Sequence, residues 1–313
     1  MKVIFGVDVG GTNIKIGKFN LDSSDLEKCV IEKYMVKTEI NEDPDVLISQ
    51  IHDEVMSHLG DDELVGIGIG IPGPVVNGNV LGAQNIKWEI VNLGELLEKK
   101  FPNILVKILN DANAATLGEW YFGYNHKKSN AILITLGTGV GGGIILNGHL
   151  IEGATGSAGE IGHIKIFPFN GRPCSCGLQG CLEQYASATG IVKTARGLMK
   201  NKMTTLSKIK YLSAKSVFDE AKAGDEVAKE VAERTAYYLS VGLASICNTI
   251  NPDVVIIGGG VSKAGDYFLK KVKAYFEDLS FYSVKDTEIV LATLLNDAGI
   301  YGNYINVIQS LDK

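Results

Sequence analysis

Apolar residues recur along this chain with two different periods. Residues 2–9 (KVIFGVDV) and 14–19 (IKIGKF) are short β-branched runs flanking GGTN, which predicts two strands joined by a glycine turn. Over residues 44–59 the spacing changes, and Leu47, Ile51, Val55 and Leu59 fall at i+4 intervals on one face of a helix. Residues 64–75 (LVGIGIGIPGPV) predict a buried strand ending in a Gly-Pro turn, and 103–110 (NILVKILN) predicts another strand. A helix is predicted to begin at Asp111 and run through 123. Strands at 131–136 and 143–146 bracket a second glycine turn, and Asn147-Gly148 is a strong hairpin signal. Residues 225–249 predict a long amphipathic helix, 253–260 a strand running into glycines, and about 297–311 a short closing helix.

Strands alternating with helices place the chain in the α/β class. A length of 313 residues is enough for two domains. An internal echo supports two similar halves. IFGVDVGGTNIKIGKF and AILITLGTGVGGGIIL share one plan: apolar strand, glycine turn with a threonine, second apolar strand.

The second of these contains G-x-G-x-x-G at Gly137, Gly139 and Gly142. A dinucleotide fingerprint must open a helix, because the pyrophosphate rests on the helix N-terminus. The continuation of the chain, GGGIILNGHLI, is β-branched and hairpin-punctuated, so a nicotinamide-dependent dehydrogenase is disfavoured. No Walker sequence occurs either.

Composition narrows the classes further. The net charge is −6, which gives no reason to expect nucleic acid or an anionic membrane as partner. Asp8 falls only a few residues in with no uninterrupted apolar signal region following, and no long charge-free apolar span looks transmembrane, so a cytoplasmic enzyme is expected. Of five cysteines, Cys174, Cys176 and Cys181 cluster, while Cys29 and Cys247 stand alone. That distribution fits a metal site better than a disulfide framework.

Four constellations can carry chemistry. In Asp8-Val9-Gly10-Gly11-Thr12-Asn13 the glycines allow backbone N–H groups to cradle an anion, and Asp8 is placed to hold Mg²⁺ through water. The same stretch also reads as a tight hairpin. The echo at Thr135, Gly137, Thr138 and Gly139 favours phosphate. In Asn110-Asp111 the acid ends a strand and starts a helix, a position that suits a helix cap and a general base alike. His163 with Cys174, Cys176 and Cys181 matches a closed zinc site of one His and three Cys, against buried thiols or a Cys174–Cys181 disulfide. Glu160 and Glu183 flank those ligands, as surface charges or as acceptors for sugar hydroxyls. Gly258 and Gly259 in IIGGGVS fit against a nucleoside or form a simple turn.

The stretches DVGGTNIKIG, GIPGPV, NDANAA, LGTGVGGGII, GEIGH, CSCGLQGCLE and IIGGGVS occur in the order found in the ROK family of bacterial sugar kinases and repressors, which this chain resembles over nearly its whole length. CLEQYASATGI is most similar to the glucokinase branch. The resemblance implies an actin-like ATPase (ribonuclease H-like) fold of two α/β domains flanking a cleft. They are expected at 1–117 and 118–297, with the helix at about 298–313 returning to the first. It implies that Asp8, Gly10, Gly11 and Thr12 meet phosphate and Mg²⁺, that Thr135, Gly137, Thr138 and Gly139 form a second phosphate loop, and that Gly258 and Gly259 lie near the adenosine. Asp111 would take the proton of a sugar 6-hydroxyl. Asn85, Asn110, Glu160, His163 and Glu183 would bind the sugar, with His163 sharing its two ring nitrogens between zinc and sugar.

The implied activity is ATP-dependent phosphorylation of glucose at O6. N-acetylglucosamine, N-acetylmannosamine, mannose, fructose and allose remain alternative substrates, as does a non-catalytic sugar sensor. Repressors of the family carry an added helix-turn-helix domain, which is not expected with Asp8 so close to the start. The family also suggests a homodimer or a dimer of dimers.

Overall fold

The computed structural model describes residues 1–23, 28–200 and 202–311. Contacts divide the chain into two compact units: Met1–Lys127 with Leu150–Ala158 and Leu294–Lys313, and Lys128–His149 with Gly159–Thr293. No helix among the described residues is long and apolar enough to cross a membrane.

The first unit is built on a five-stranded sheet in the order 30–37, 13–20, 2–9, 63–71, 105–110. The first three strands are antiparallel neighbours, and the last two join in parallel. Strand Lys2–Val9 is apolar almost throughout because both its faces are covered. Phe5 and Val7 face a core shared with Leu47, Ile51 and Val55 of helix Pro44–Leu59. That helix starts where Asp43 accepts the Asp45 N–H at 3.0 Å, with Pro44 in the first turn, and it stops at Gly60. Ile4 faces the other way, into a cluster with Phe19, Ile300, Tyr304 and Val307. Burying a side chain such as Phe5 is worth about 2–3 kcal/mol.

The terminal helix Ala298–Leu311 therefore belongs to the first unit. It crosses helix Asp111–Gly118 closely, since a Cβ at Gly302 would fall 1.7 Å from the Ala114 carbonyl oxygen. The last two residues of the expected span, Asp312 and Lys313, lie outside the described residues.

The second unit repeats the plan, with strands in the order 149–150, 140–146, 131–136, 254–258, 288–291. Strands Ala131–Leu136 and Val140–Leu146 are antiparallel, and Val254–Gly258 joins the first of them in parallel. Helix Glu226–Ile250 begins where Asp225 accepts the Ala228 N–H at 2.8 Å, and it buries Val231, Leu239 and Leu243.

Several boundaries differ from expectation. The strand expected to reach residue 75 stops at Ile71, and Val75–Val76 opens a separate three-stranded sheet with 79–83 and 88–92. The second strand after the glycine turn starts at Val140 and takes in three glycines. A Cβ at Gly142 would meet Ile161 Cδ1 at 2.5 Å, so close packing sets that glycine. After its turn the chain thus returns as a strand and opens no helix. The helix from Asp111 is α-helical only to Gly118 and then makes a π turn over Glu119–Gly123.

Candidate active site

In the first unit, the turn between the first two strands carries Gly10, Gly11 and Thr12. Its shape is held from outside: Thr38 Oγ1 donates to the Gly10 carbonyl at 2.7 Å, and Thr38 N donates to that of Thr12 at 3.0 Å. Gly10 N donates to Asn13 O at 3.0 Å. A Cβ at Gly11 would lie 3.1 Å from Asn85 O, so Asn85 borders this turn. Asp8 is the last residue but one of the first strand and is partly buried. A Cβ at Gly299, in the first turn of helix Ala298–Leu311, would fall 2.6 Å from Asp8 Cγ. Burial pushes the Asp8 carboxyl up to about 6; nearby Lys15 opposes that rise, and Asp111 adds to it.

Asn110, not Asp111, is the cap of helix Asp111–Gly118. Its Oδ1 accepts from Ala112 N at 2.9 Å and Asn113 N at 3.2 Å, while Nδ2 donates to Gly73 O at 3.0 Å. The sequence left the cap open between a structural and a chemical use of Asp111. The structure gives capping to the neighbour. Asp111 Oδ1 accepts its own following amide, Ala112 N, at 2.8 Å. Asp8 and Leu109 are both register partners of Gly70, so Asp111 lies at the same end of the sheet as Asp8, where its charge helps to hold the Asp8 carboxyl up.

In the second unit, the turn at Gly137, Thr138 and Gly139 is held in the same manner. Ala188 N donates to Gly137 O at 2.8 Å, and Thr189 Oγ1 donates to Thr138 O at 2.9 Å. Gly258 is the register partner of Thr135, and a Cβ at Gly259 would meet the Leu136 backbone at 2.6 Å. Thr135, Gly258 and Gly259 thus lie side by side at one end of the sheet.

The cysteine loop of this unit brings His163, Cys174, Cys176 and Cys181 together, with their ligand atoms within 4.8 Å of one another. Cys176 Sγ and Cys181 Sγ are 3.7 Å apart, and Cys174 Sγ is 3.7 Å from His163 Nδ1. A tetrahedron with Zn–S bonds of about 2.3 Å has edges of about 3.8 Å. The donor set therefore fits a four-coordinate zinc ion in number, type and spacing. All cysteines are free thiols. Burial alone would push the Cys174 thiol up, yet hydrogen bonds from the Cys176 backbone and thiol bring it down to about 6. His163 turns Nε2 away from the thiols, 3.9 Å from Glu160 Oε2.

Glu183 opens the short helix Glu183–Ala186 directly after this loop. Its Oε2 accepts from Val140 N at 3.1 Å, so it also reaches the glycine turn.

A model of the ROK family matches residues 4–310. The chain belongs to the ROK family. It is 41% identical over 310 residues to a glucokinase of Halalkalibacterium halodurans, covering 95% of this chain and 92% of that protein. A xylose repressor of Caldicellulosiruptor bescii is 32% identical, over 98% of this chain and 78% of the repressor. Among solved structures, the ROK family glucokinase of Streptomyces griseus in complex with glucose and AMPPNP aligns with a TM-score of 0.76. It is 32% identical, over 96% of this chain and 97% of that one. This ROK chain has the actin-like ATPase fold expected from its motifs.

Sequence reasoning missed Lys15 and Gly299 beside Asp8, Thr38 behind the first turn, and Ala188 and Thr189 behind the second. Lys15 could have been found, since period-two pairing across a short turn sets it opposite Asp8. Thr38 and Gly299 are distant in sequence, and no local pattern marks them.

Proposed function

We propose that this chain is an ATP-dependent hexose 6-kinase that converts D-glucose to glucose 6-phosphate. The observation that carries the reading is that Asp8 and Leu109 are both register partners of Gly70, which sets Asp8 and Asp111, just past Leu109, at the same end of one sheet, in a chain 41% identical to a glucokinase. Asp111 is the general base. The sugar 6-oxygen attacks the γ-phosphorus, its proton passes to Asp111, and the bond to the β–γ bridging oxygen breaks to release ADP. Such a transfer needs positioning and charge stabilisation more than covalent help.

Each role rests on residue chemistry. Gly10, Gly11 and Thr12, with Thr135, Gly137, Thr138 and Gly139, present backbone and hydroxyl donors to the phosphates. Gly258 and Gly259 flank the adenosine. Asp8 would hold Mg²⁺, which neutralises phosphate charge when bound. Asn85, Asn110, Glu160, His163 and Glu183 take the sugar hydroxyls. Asn110 has one amide hydrogen beyond its capping and Gly73 bonds for this task. His163, Cys174, Cys176 and Cys181 would hold zinc, a structural ion that fixes the aim of the His163 ring. The oligomeric assembly is a homodimer or a dimer of dimers, and the location cytoplasmic.

The decisive experiment is ADP release with ATP and Mg²⁺ across a panel of hexoses and N-acetylhexosamines, with Asp111→Asn alongside. Glucose-dependent turnover that the variant loses supports the reading. Preference for another sugar keeps the mechanism and replaces the substrate. Nucleotide and sugar binding without turnover overturns catalysis and favours a sensor, the direction in which the xylose repressor likeness points.

A further inference from the structure

Glu183 touches both the second glycine turn and the cysteine loop. Its Oε2 accepts from Val140 N at 3.1 Å and fills the space beside Gly139, where a Cβ would come within 2.4 Å. Its Oε1 accepts from Gln184 Nε2 at 3.4 Å and lies 4.0 Å from Cys174 Sγ. The position of Glu183 is set by the cysteine loop. Cys181, two residues earlier, is fully buried, and Leu182 is pinned by donation of its N–H to Ile164 O at 2.8 Å. Gln184 N donates back to Cys181 O at 3.0 Å. A turn of two glycines and one threonine has little side chain with which to fix its own shape. Apart from its internal bond from Gly137 N to Gly139 O at 3.0 Å, the turn is held from outside by Glu183, Ala188 and Thr189, which are downstream of the loop.

We propose that Glu183 is a clasp, a positioning residue that transmits the state of the His/Cys metal loop to the second glycine turn. With the loop filled by a divalent ion, Cys181 is fixed and Glu183 is held on the Val140 amide. With the loop empty, the Cys181–Glu183 segment relaxes, the amide loses its charged acceptor, and the turn loosens. The consequence for ATP rests on the kinase reading of that turn; the clasp itself does not.

Amide hydrogen exchange over residues 137–142, without nucleotide or sugar, tests it. Four samples are compared: metal-loaded wild type, chelated wild type, Glu183→Ala and Glu183→Gln. Loss of a hydrogen bond to a charged group predicts exchange at Val140 faster by about tenfold to a hundredfold after chelation and in Glu183→Ala. Chelation of Glu183→Ala should add nothing further. Glu183→Gln keeps an oxygen acceptor and should restore protection, with the KM for ATP restored while that for sugar stays raised. Unchanged protection at Val140 in chelated wild type overturns the proposal, provided amides of helix 226–250 show the unit still folded. Where chelation unfolds the unit, metal-loaded Glu183→Ala decides, and protection equal to wild type overturns the clasp. A protein with no sugar-dependent ADP release but an intact clasp overturns only the kinase reading.

Discussion

Asp8 and Lys15 are register partners across the first hairpin, and Lys15 Nζ lies 3.8 Å from Asp8 Oδ2. The lysine offsets only part of the cost of burying the acid, whose carboxyl is pushed up to about 6 from an ordinary 3.8. A raised value means that the folded protein holds this proton more tightly than the unfolded chain does. The ionised carboxylate therefore subtracts stability above pH 6, and that loss is relieved as the pH falls from about 6 toward 4. Asp8→Asn should stabilise the fold at pH 8 without Mg²⁺ or nucleotide by on the order of 1–3 kcal/mol, seen as a higher melting temperature, and the gain should vanish near pH 4. The same variant should lose Mg²⁺-dependent turnover. Thermal melts from pH 4 to 8 would check this, and an Asp8→Asn protein no more stable than wild type at pH 8 would count against it.

Removing the partner tests the pair from the other side. Lys15→Met leaves burial and Asp111 to act on Asp8 unopposed, so its carboxyl should rise further. The acid limb of the kcat/KM profile should then move to higher pH. An unmoved limb would mean that Asp8 is not the group whose ionisation limits activity.

Two glycines of the second turn should respond differently to one methyl group. A Cβ at Gly137 meets nothing within 4 Å, whereas one at Gly139 falls 2.4 Å from Glu183 Oε2. Gly137→Ala should keep the wild-type melting temperature and raise the KM for ATP, because the added methyl occupies space meant for phosphate. Gly139→Ala should lower both stability and nucleotide affinity. Equal ATP affinity in Gly137→Ala and wild type would refute the assignment of this turn to phosphate.

The elements most legible in the sequence were those with a strong local period. Helix Pro44–Leu59 has a cap, a first-turn proline and an i+4 stripe, and strand Lys2–Val9 is apolar because both faces are covered. Edge strand Val30–Lys37 alternates around lysine and glutamate and is half exposed, so no apolar run announced it. Helix Asp266–Leu279 buries only Phe268, Val272 and Phe276, a stripe too sparse to stand out. The His/Cys set was legible because ligand type and spacing are themselves the signal. The cap was not, since Asn110 and Asp111 are both good caps, and only the path of the backbone chooses between them. Glu183 was marked for sugar by its motif, while its bond to Val140 crosses 43 residues and has no sequence signature.

Metal content separates the cysteine loop from ordinary buried thiols. The purified protein should carry about one zinc ion per chain, bound by one imidazole and three thiolates. Cys176 is the exposed member of the set, so Cys176→Ser removes a ligand with little change in packing. That variant should bind zinc at least tenfold more weakly, melt at lower temperature, and show a raised KM for sugar, because His163 loses the ion that aims its ring. Cys247→Ser changes a thiol that is buried in helix Glu226–Ile250, outside the ligand set, and should leave zinc content unchanged even where it costs stability. Inductively coupled plasma measurement of both variants, paired with sugar titrations, decides the matter. Full zinc in Cys176→Ser, or unaltered sugar affinity in its zinc-free form, would sever the link between the metal loop and the substrate.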